Sequence, residues 1–289
     1  MLHRLLPPGN RMPMRTLAGL DALDPLAKTL GKLVRDATKP RRLKEVLSGS
    51  WQGHPLHPAL TDVTIGTFTS AVLLDWLGGD DSRTAARRLI GLGLLSATPV
   101  VASGASDWAD TEVGDESVRR IGIVHATSNA LAASLFAASY AARRRGDDGR
   151  LLALAGSAAL TAGGYLGGHL SFAEGVGVDH TTFEEGPEDW TDVGADGELA
   201  EDRARCVEAD GTQVLLARSG GALYALSNTC SHRGGPLHEG KIADGTVTCP
   251  WHHSVFALKD GALIHGPAAY PQPAWDVRVR EGRVEVRRR

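Results

Sequence analysis

Cysteine is scarce in this chain. Cys206, Cys230 and Cys249 are the only three thiols in 289 residues. That number is odd and too small for a disulfide framework, which excludes a small stapled secreted fold and points to a reducing compartment or to metal chemistry. A strong charge of either sign is also missing. The formal net charge is −3, and no basic stripe with interleaved aromatics runs through the chain, so nucleic acid is not an expected partner. The first twenty residues lack the continuous apolar core of a secretory signal. Lys and Arg are absent from residues 174–202, which carry eleven acids.

What is present divides sharply, and the mean hydropathy of −0.14 averages two unlike halves. Runs 89–106, 121–142 and 151–173 contain no Asp, Glu, Lys or Arg, and a fourth, 59–77, has Asp62 and Asp75 near its ends. About twenty helical residues cross the hydrocarbon of a bilayer, so these runs predict four transmembrane helices joined by short polar loops. Their Ala, Gly, Ser and Thr suit close helix contact in lipid. A soluble four-helix bundle would carry a polar stripe on each helix, and none is seen. Residues 1–50 carry ten Lys or Arg and read as a basic tail. Within it, 23–47 has apolar residues at helical spacing, which predicts an amphipathic helix, either on an anionic lipid surface or solvated. Past the acidic stretch, Asp210-Gly211, Gly220-Gly221 and Glu281-Gly282 stand between alternating or apolar runs, the signature of hairpins. The expected organisation is a basic tail (1–50), an all-α four-helix transmembrane bundle (51–178), an acidic linker (179–187) and an all-β domain (188–289).

The most specific pattern is Cys230-Ser231-His232, then sixteen residues, then Cys249-Pro250-Trp251-His252. Two thiolates and two imidazoles suit an iron–sulfur site in which one iron takes both sulfurs and the other both histidines. Zinc accepts the same donor set, but zinc fingers usually pair like with like, whereas each segment here supplies one of each. The pattern C-x-H … C-P-W-H, with RGGPL after the first pair, resembles the Rieske ferredoxins and related iron–sulfur domains over about 188–289. The resemblance implies a [2Fe-2S] cluster, with Cys230 and Cys249 on one iron and His232 and His252 on the other. It also implies a shielding loop at Gly266-Pro267-Ala268 and a hydrogen bond from Ser254 to the cluster. The quinol-oxidising Rieske proteins have a disulfide at the positions of Gly235 and Trp251, and a Tyr where Phe256 stands. A low to intermediate potential follows from these departures. Only thirty-seven residues follow His252, too few for the mononuclear-iron domain of a Rieske oxygenase, so an electron-transfer component is implied rather than a catalytic subunit. His238 and His253 are expected at the surface, and Cys206 as a buried free thiol.

The segment Gly53-His54-Pro55-Leu56-His57-Pro58, with four short-looped helices and a later GGYLGGH, resembles an uncharacterised family of bacterial four-helix membrane domains over about 51–178. Successive helices alternate in direction, which puts His54, His57, Asp107, His125 and His169 at one membrane level. Ionisable groups there read as a functional site. A haem b between two imidazoles, with Gly163, Gly164, Gly167 and Gly168 leaving room for a flat ring, fits these residues; so do a quinone, a metal ion and plain helix packing. The expected protein is a multi-pass component of the cell membrane, in contact with membrane lipid. It would relay single electrons between a redox partner (a reductase, oxygenase or respiratory component) and a second site. The basic tail and the lack of an export signal lean the cluster domain toward the cytoplasm. A redox sensor that uses the cluster as its switch is the alternative.

Overall fold

The structure is a computed structural model that describes residues 12–289; residues 1–11 of the expected basic tail lie outside the described residues. Helices α1 (Met12–Ala18), α2 (Asp24–Thr38), α3 (Arg41–Ser48), α4 (Leu56–Leu77), α5 (Arg83–Thr111), α6 (Glu116–Arg145) and α7 (Arg150–Phe172) come first. Strands β1 (Thr191–Ala195), β2 (Arg203–Ala209), β3 (Thr212–Ser219), β4 (Ala222–Ser227), β5 (Lys241–Ala243), β6 (Thr246–Thr248), β7 (Val255–Ala257), β8 (Leu263–His265), β9 (Ala274–Arg280) and β10 (Arg283–Arg288) follow. The chain divides into two units. Residues up to Lys39 and Leu56–Val176 make one, and Pro40–Pro55 with Gly177–Arg289 make the other.

In the helical unit the charge-free runs 89–106 and 121–142 mark the middle of α5 and α6, which extend past them at both ends, whereas 151–173 nearly coincides with α7. α6 starts where the Asp115 side chain accepts the Val118 N–H at 3.0 Å, and stops at Gly146 with φ +95°. Its end turns carry Arg119, Arg120 and Arg143–Arg145, and the carboxylates of Glu112, Asp24 and Asp75 hold Arg119, Arg120 and Arg143 there. The segments Asp80–Thr111, Glu116–Arg145 and Arg150–Phe172 are long and apolar enough to cross a membrane. The fourth expected helix, α4, is not among them: Asp62, Asp75 and four threonines lower its hydropathy.

Packing in this unit puts small and polar groups inside and leucine outside. Phe68 and Phe136 stack with centroids 3.9 Å apart. The Thr64 and Ser96 hydroxyls share a hydrogen bond of 2.8 Å. Asp75 and Arg143 form a buried two-bond ion pair at 2.5 and 2.7 Å. By contrast Leu73, Leu92, Leu95, Val101 and Leu131 are exposed. α2 is tied down rather than loose: Arg35 and Arg119 both reach Glu112, and Arg120 reaches Asp24 at 2.9 Å. Its Leu26, Leu30 and Leu33 are left exposed, spaced along one face.

The second unit is antiparallel throughout. One sheet has the order β1-β10-β9-β4-β3-β2 and the other β5-β6-β7-β8. The three hairpins expected from the sequence form, each with two consecutive positive-φ residues at its turn, the backbone that matches strand twist. Strand β3 is buried on both faces. Val214 and Leu216 pack with Trp275 and Val286, while Leu215 packs with Leu226, Leu237, Phe256, Cys230 and Cys249. The second of these cores positions the cysteines.

Candidate metal centre

Three connections meet at one end of the small sheet: β4–β5 with Cys230 and His232, β6–β7 with Cys249 and His252, and β8–β9 with Gly266–Pro273. The first two are twins. In one, Cys230 N–H donates to the Gly235 carbonyl at 2.9 Å and Gly234 N–H donates back to Cys230 at 2.8 Å. In the other, Cys249 N–H donates to Ser254 at 2.8 Å and His253 N–H donates back to Cys249 at 3.2 Å. The fifth residue of each loop, counting from its cysteine, is left-handed: Gly234 at φ +73° and His253 at φ +61°. Each loop also aims two backbone amides at its own sulfur, His232 and Arg233 at Cys230, and Trp251 and His252 at Cys249.

The thiols face each other, both 1 % exposed. Their mutual hydrogen bond is the main influence on both, pushing Cys230 up and bringing Cys249 down to about 7, where the Trp251 and His252 amides assist. The His232 and His252 rings lie 4.9 Å apart at 90°. Burial, then His252, holds His232 well below the ordinary imidazole range. Its Nδ1 is fully enclosed and has no hydrogen-bond partner. A buried ring nitrogen left so is costly unless something else binds it.

The third connection braces the first two. Ser254 Oγ accepts the Ala268 N–H at 3.0 Å, and Ser231 Oγ donates to the Tyr270 carbonyl at 3.0 Å. Pro267 directly precedes the first of those anchor points. Gln272, fully buried, accepts the Ser231 N–H at 3.0 Å and donates to the Ser227 and Thr229 carbonyls. Gln272 was missed from sequence; its one signal is a polar side chain caught between Pro271 and Pro273. Gly235 and Trp251 touch: a Cβ on Gly235 would stand 3.0 Å from Cys249 Sγ and 3.1 Å from the indole.

Other expectations fare differently. His253 is exposed, whereas His238 is half-buried, with its Nδ1 3.0 Å from Asn228 Oδ1. Cys206 is half-buried on β2, and burial raises its thiol. α3 lies near the cluster end of the unit, since the charges of Arg41 and Glu45 act on His265 and that of Lys44 on His232.

The five membrane-level residues have different surroundings. His54 belongs to the second unit, with its ring 6.4 Å from Tyr270. His169 Nε2 lies 3.3 Å from Glu174. Asp107 is half-buried on α5. His57 and His125 do enter the bundle, where each ties one helix to the next: His57 Nδ1 to the Val100 carbonyl at 3.0 Å, and His125 Nδ1 to the Gly163 carbonyl at 2.8 Å. The room expected at Gly163 and Gly167 is taken by Asn129 and by the His125 ring itself. His125 lies further from the start of its helix than expected, because α6 begins at Glu116 rather than at 121.

Comparison with known proteins agrees with both halves. The Rieske [2Fe-2S] domain matches residues 189–277, and Predicted membrane protein (DUF2231) matches 53–180. The anthranilate 1,2-dioxygenase ferredoxin subunit of Burkholderia cepacia is 33% identical over 98 residues, covering 34% of this chain and 91% of that protein. The 3-phenylpropionate/cinnamic acid dioxygenase ferredoxin subunit of Escherichia coli (strain K12) is 36% identical over 74 residues, 25% of this chain and 70% of that one. Among solved structures, the ferredoxin of carbazole 1,9a-dioxygenase from Nocardioides aromaticivorans IC177 is 28% identical over 35% of this chain and 98% of its own, with a TM-score of 0.34. Through residues 189–277 the chain belongs to the Rieske [2Fe-2S] family, and it carries that domain behind a helical part that matches the DUF2231 predicted membrane protein model.

Proposed function

We propose that this protein is a membrane-anchored one-electron carrier. In this reading Cys230 and Cys249 hold one iron of a [2Fe-2S] cluster, and His232 and His252 hold the other. The observation that carries it is the buried, unpartnered His232 Nδ1 beside a thiol pair that already receives four backbone amides. That donor set fits the cluster: two soft sulfurs on one side, two imidazoles on the other, and amide dipoles to stabilise sulfur charge. When bound, the cluster takes up and returns a single electron. The chain supplies the rest. The twin loops fix the four donors, Ser254 can turn its hydroxyl proton toward sulfur while its oxygen holds Ala268, and Pro267 shields the site from water. His232 and His252 form the edge through which electrons pass to a partner, a reductase, oxygenase or respiratory component. The dioxygenase ferredoxin subunits that the domain resembles support a partner of the first two kinds.

Helices α4–α7 are the anchor. The reading is supported by leucines on the outside and hydroxyls and a buried ion pair on the inside, the reverse of a water-soluble bundle. It includes no haem b or quinone: the room at Gly163 and Gly167 is filled by Asn129 and the His125 ring, and Asn129 Nδ2 also lies 3.3 Å from His125 Nε2. Optical and EPR spectra of the detergent-purified full-length protein, before and after dithionite, test the cluster. Iron and acid-labile sulfide in equal amounts, with a reduced EPR signal of lower average g than an all-cysteine cluster gives, are expected. Zinc without sulfide would overturn the reading.

A further inference from the structure

A groove of about 860 Å3 lies on the α5–α6 face of the bundle. The two helices run antiparallel, so Arg87 and Arg88, near the start of α5, share one end of the groove with Arg144, near the end of α6. Leu92 and Leu95 line it further along α5 and are 50% and 74% exposed. They lie about one to two turns, roughly 6 to 12 Å, beyond the arginines toward the middle of the helix. Gly91 lets Tyr140 lie against the α5 backbone between these levels, since a Cβ there would be 3.1 Å from the ring.

The arginines of this end fall into two classes. Arg83 is neutralised by Asp80 at 2.8 Å, Arg143 by the buried Asp75, and Arg150 by Asp148 at 3.1 Å. Among the described residues Arg87, Arg88, Arg144 and Arg145 have no such carboxylate, and the first three of them line the groove. Three open guanidiniums at one end and exposed leucine at the other match an amphiphile with an anionic head.

The geometry points to a binding site for one anionic phospholipid, its phosphate among Arg87, Arg88 and Arg144 and an acyl chain along Leu92 and Leu95. Guanidinium forks bind phosphate oxygens through paired charge-assisted hydrogen bonds, and basic pockets between membrane helices take such headgroups. The proposal rests on the membrane reading given above and identifies which lipid the anchor selects.

Native mass spectrometry of the full-length protein, titrated in detergent with phosphatidylglycerol or with phosphatidylcholine, tests it. Retention of one phosphatidylglycerol in preference to phosphatidylcholine is expected. The combined R87Q/R88Q/R144Q variant should lose that preference by on the order of a hundredfold. The control R83Q/R150Q, at the same end but outside the groove, should keep it. Equal retention of the two lipids, or an unchanged preference in the triple variant, overturns the proposal. Displacement of the lipid by inorganic phosphate alone overturns it too, because the site would then serve a free anion. Carbonate extraction of membranes separates the two levels of the argument. A chain that stays in the membrane but shows no lipid preference loses only this site, whereas a chain released by carbonate loses the anchor reading as well.

Discussion

The buried imidazoles of the two halves are held in opposite ways. In the helical half, His57 and His125 each bind a main-chain carbonyl of the next helix through Nδ1, and each ring lies against a glycine, Gly104 or Gly167. In the β half, the fully enclosed Nδ1 of His232 has no hydrogen-bond partner. What marks a ligand is an enclosed ring nitrogen without a protein partner, since a carbonyl on the other nitrogen is compatible with either role. A polar group in an apolar helix is satisfied if the fold supplies its partner, and becomes a binding site where the fold withholds one.

The largest expected contrast comes from deleting the rings. His232→Ala should abolish visible absorbance and the reduced EPR signal, while His57→Ala and His125→Ala leave both unchanged. The latter two should cost the bundle only about 0.6 kcal/mol each, the average for such interhelical ties in a membrane. Loss of the cluster signal in His57→Ala would erase the contrast.

Asp75→Ala sharpens it from the other side. Stranding Arg143 in the bundle should cost about 3–5 kcal/mol, read as a fall in the thermal midpoint in detergent. Replacing both partners by apolar residues of similar volume should recover most of that loss.

Next comes the same substitution made in each half. Gly104→Ala would put a Cβ 2.6 Å from the His57 ring, and overpacking of this kind costs about 1–3 kcal/mol of stability. Gly235→Ala, 3.0 Å from Cys249 Sγ, should instead lower iron occupancy, measured as iron per chain, with the bundle unaffected. A smaller effect is expected at the twin left-handed positions. Gly234→Ala should cost about 1–2 kcal/mol, whereas His253→Gly, free of that strain, should leave the cluster spectrum and the midpoint close to wild type.

The smallest effect is a pH dependence in the helical half. The hydrogen bond from Arg120 holds the Asp24 carboxyl below its usual range. A depressed folded-state value means that this tie is fully present above the unfolded carboxylate value and is lost as pH falls through the folded one. Amide exchange in α2 should therefore quicken only under acid conditions, and Asp24→Asn should remove that dependence.

Much of this was legible in the sequence for identifiable reasons. The ligand pairs could be read because each sits within one short loop, so spacing along the chain reports spacing in the fold. Hairpins could be read because their turns need particular residues. Gln272 could not, because its partners at 227, 229 and 231 are more than forty residues away. The level of His57 and His125 in the bundle followed from helix direction, but nothing in the pattern showed that Val100 and Gly163 would engage them. Residues 40–50 read as the end of a basic tail and 51–55 as the entry to the bundle, yet 40–55 fall with the β unit, since an amphipathic face does not name its partner.

The contact between Gly235 and a Trp251 that is 53% exposed has a consequence for how the protein matures. The two loops are latched by a side chain resting on a backbone, with no covalent link to make or break. No disulfide between these two positions therefore has to be formed or reduced as the cluster is inserted or lost.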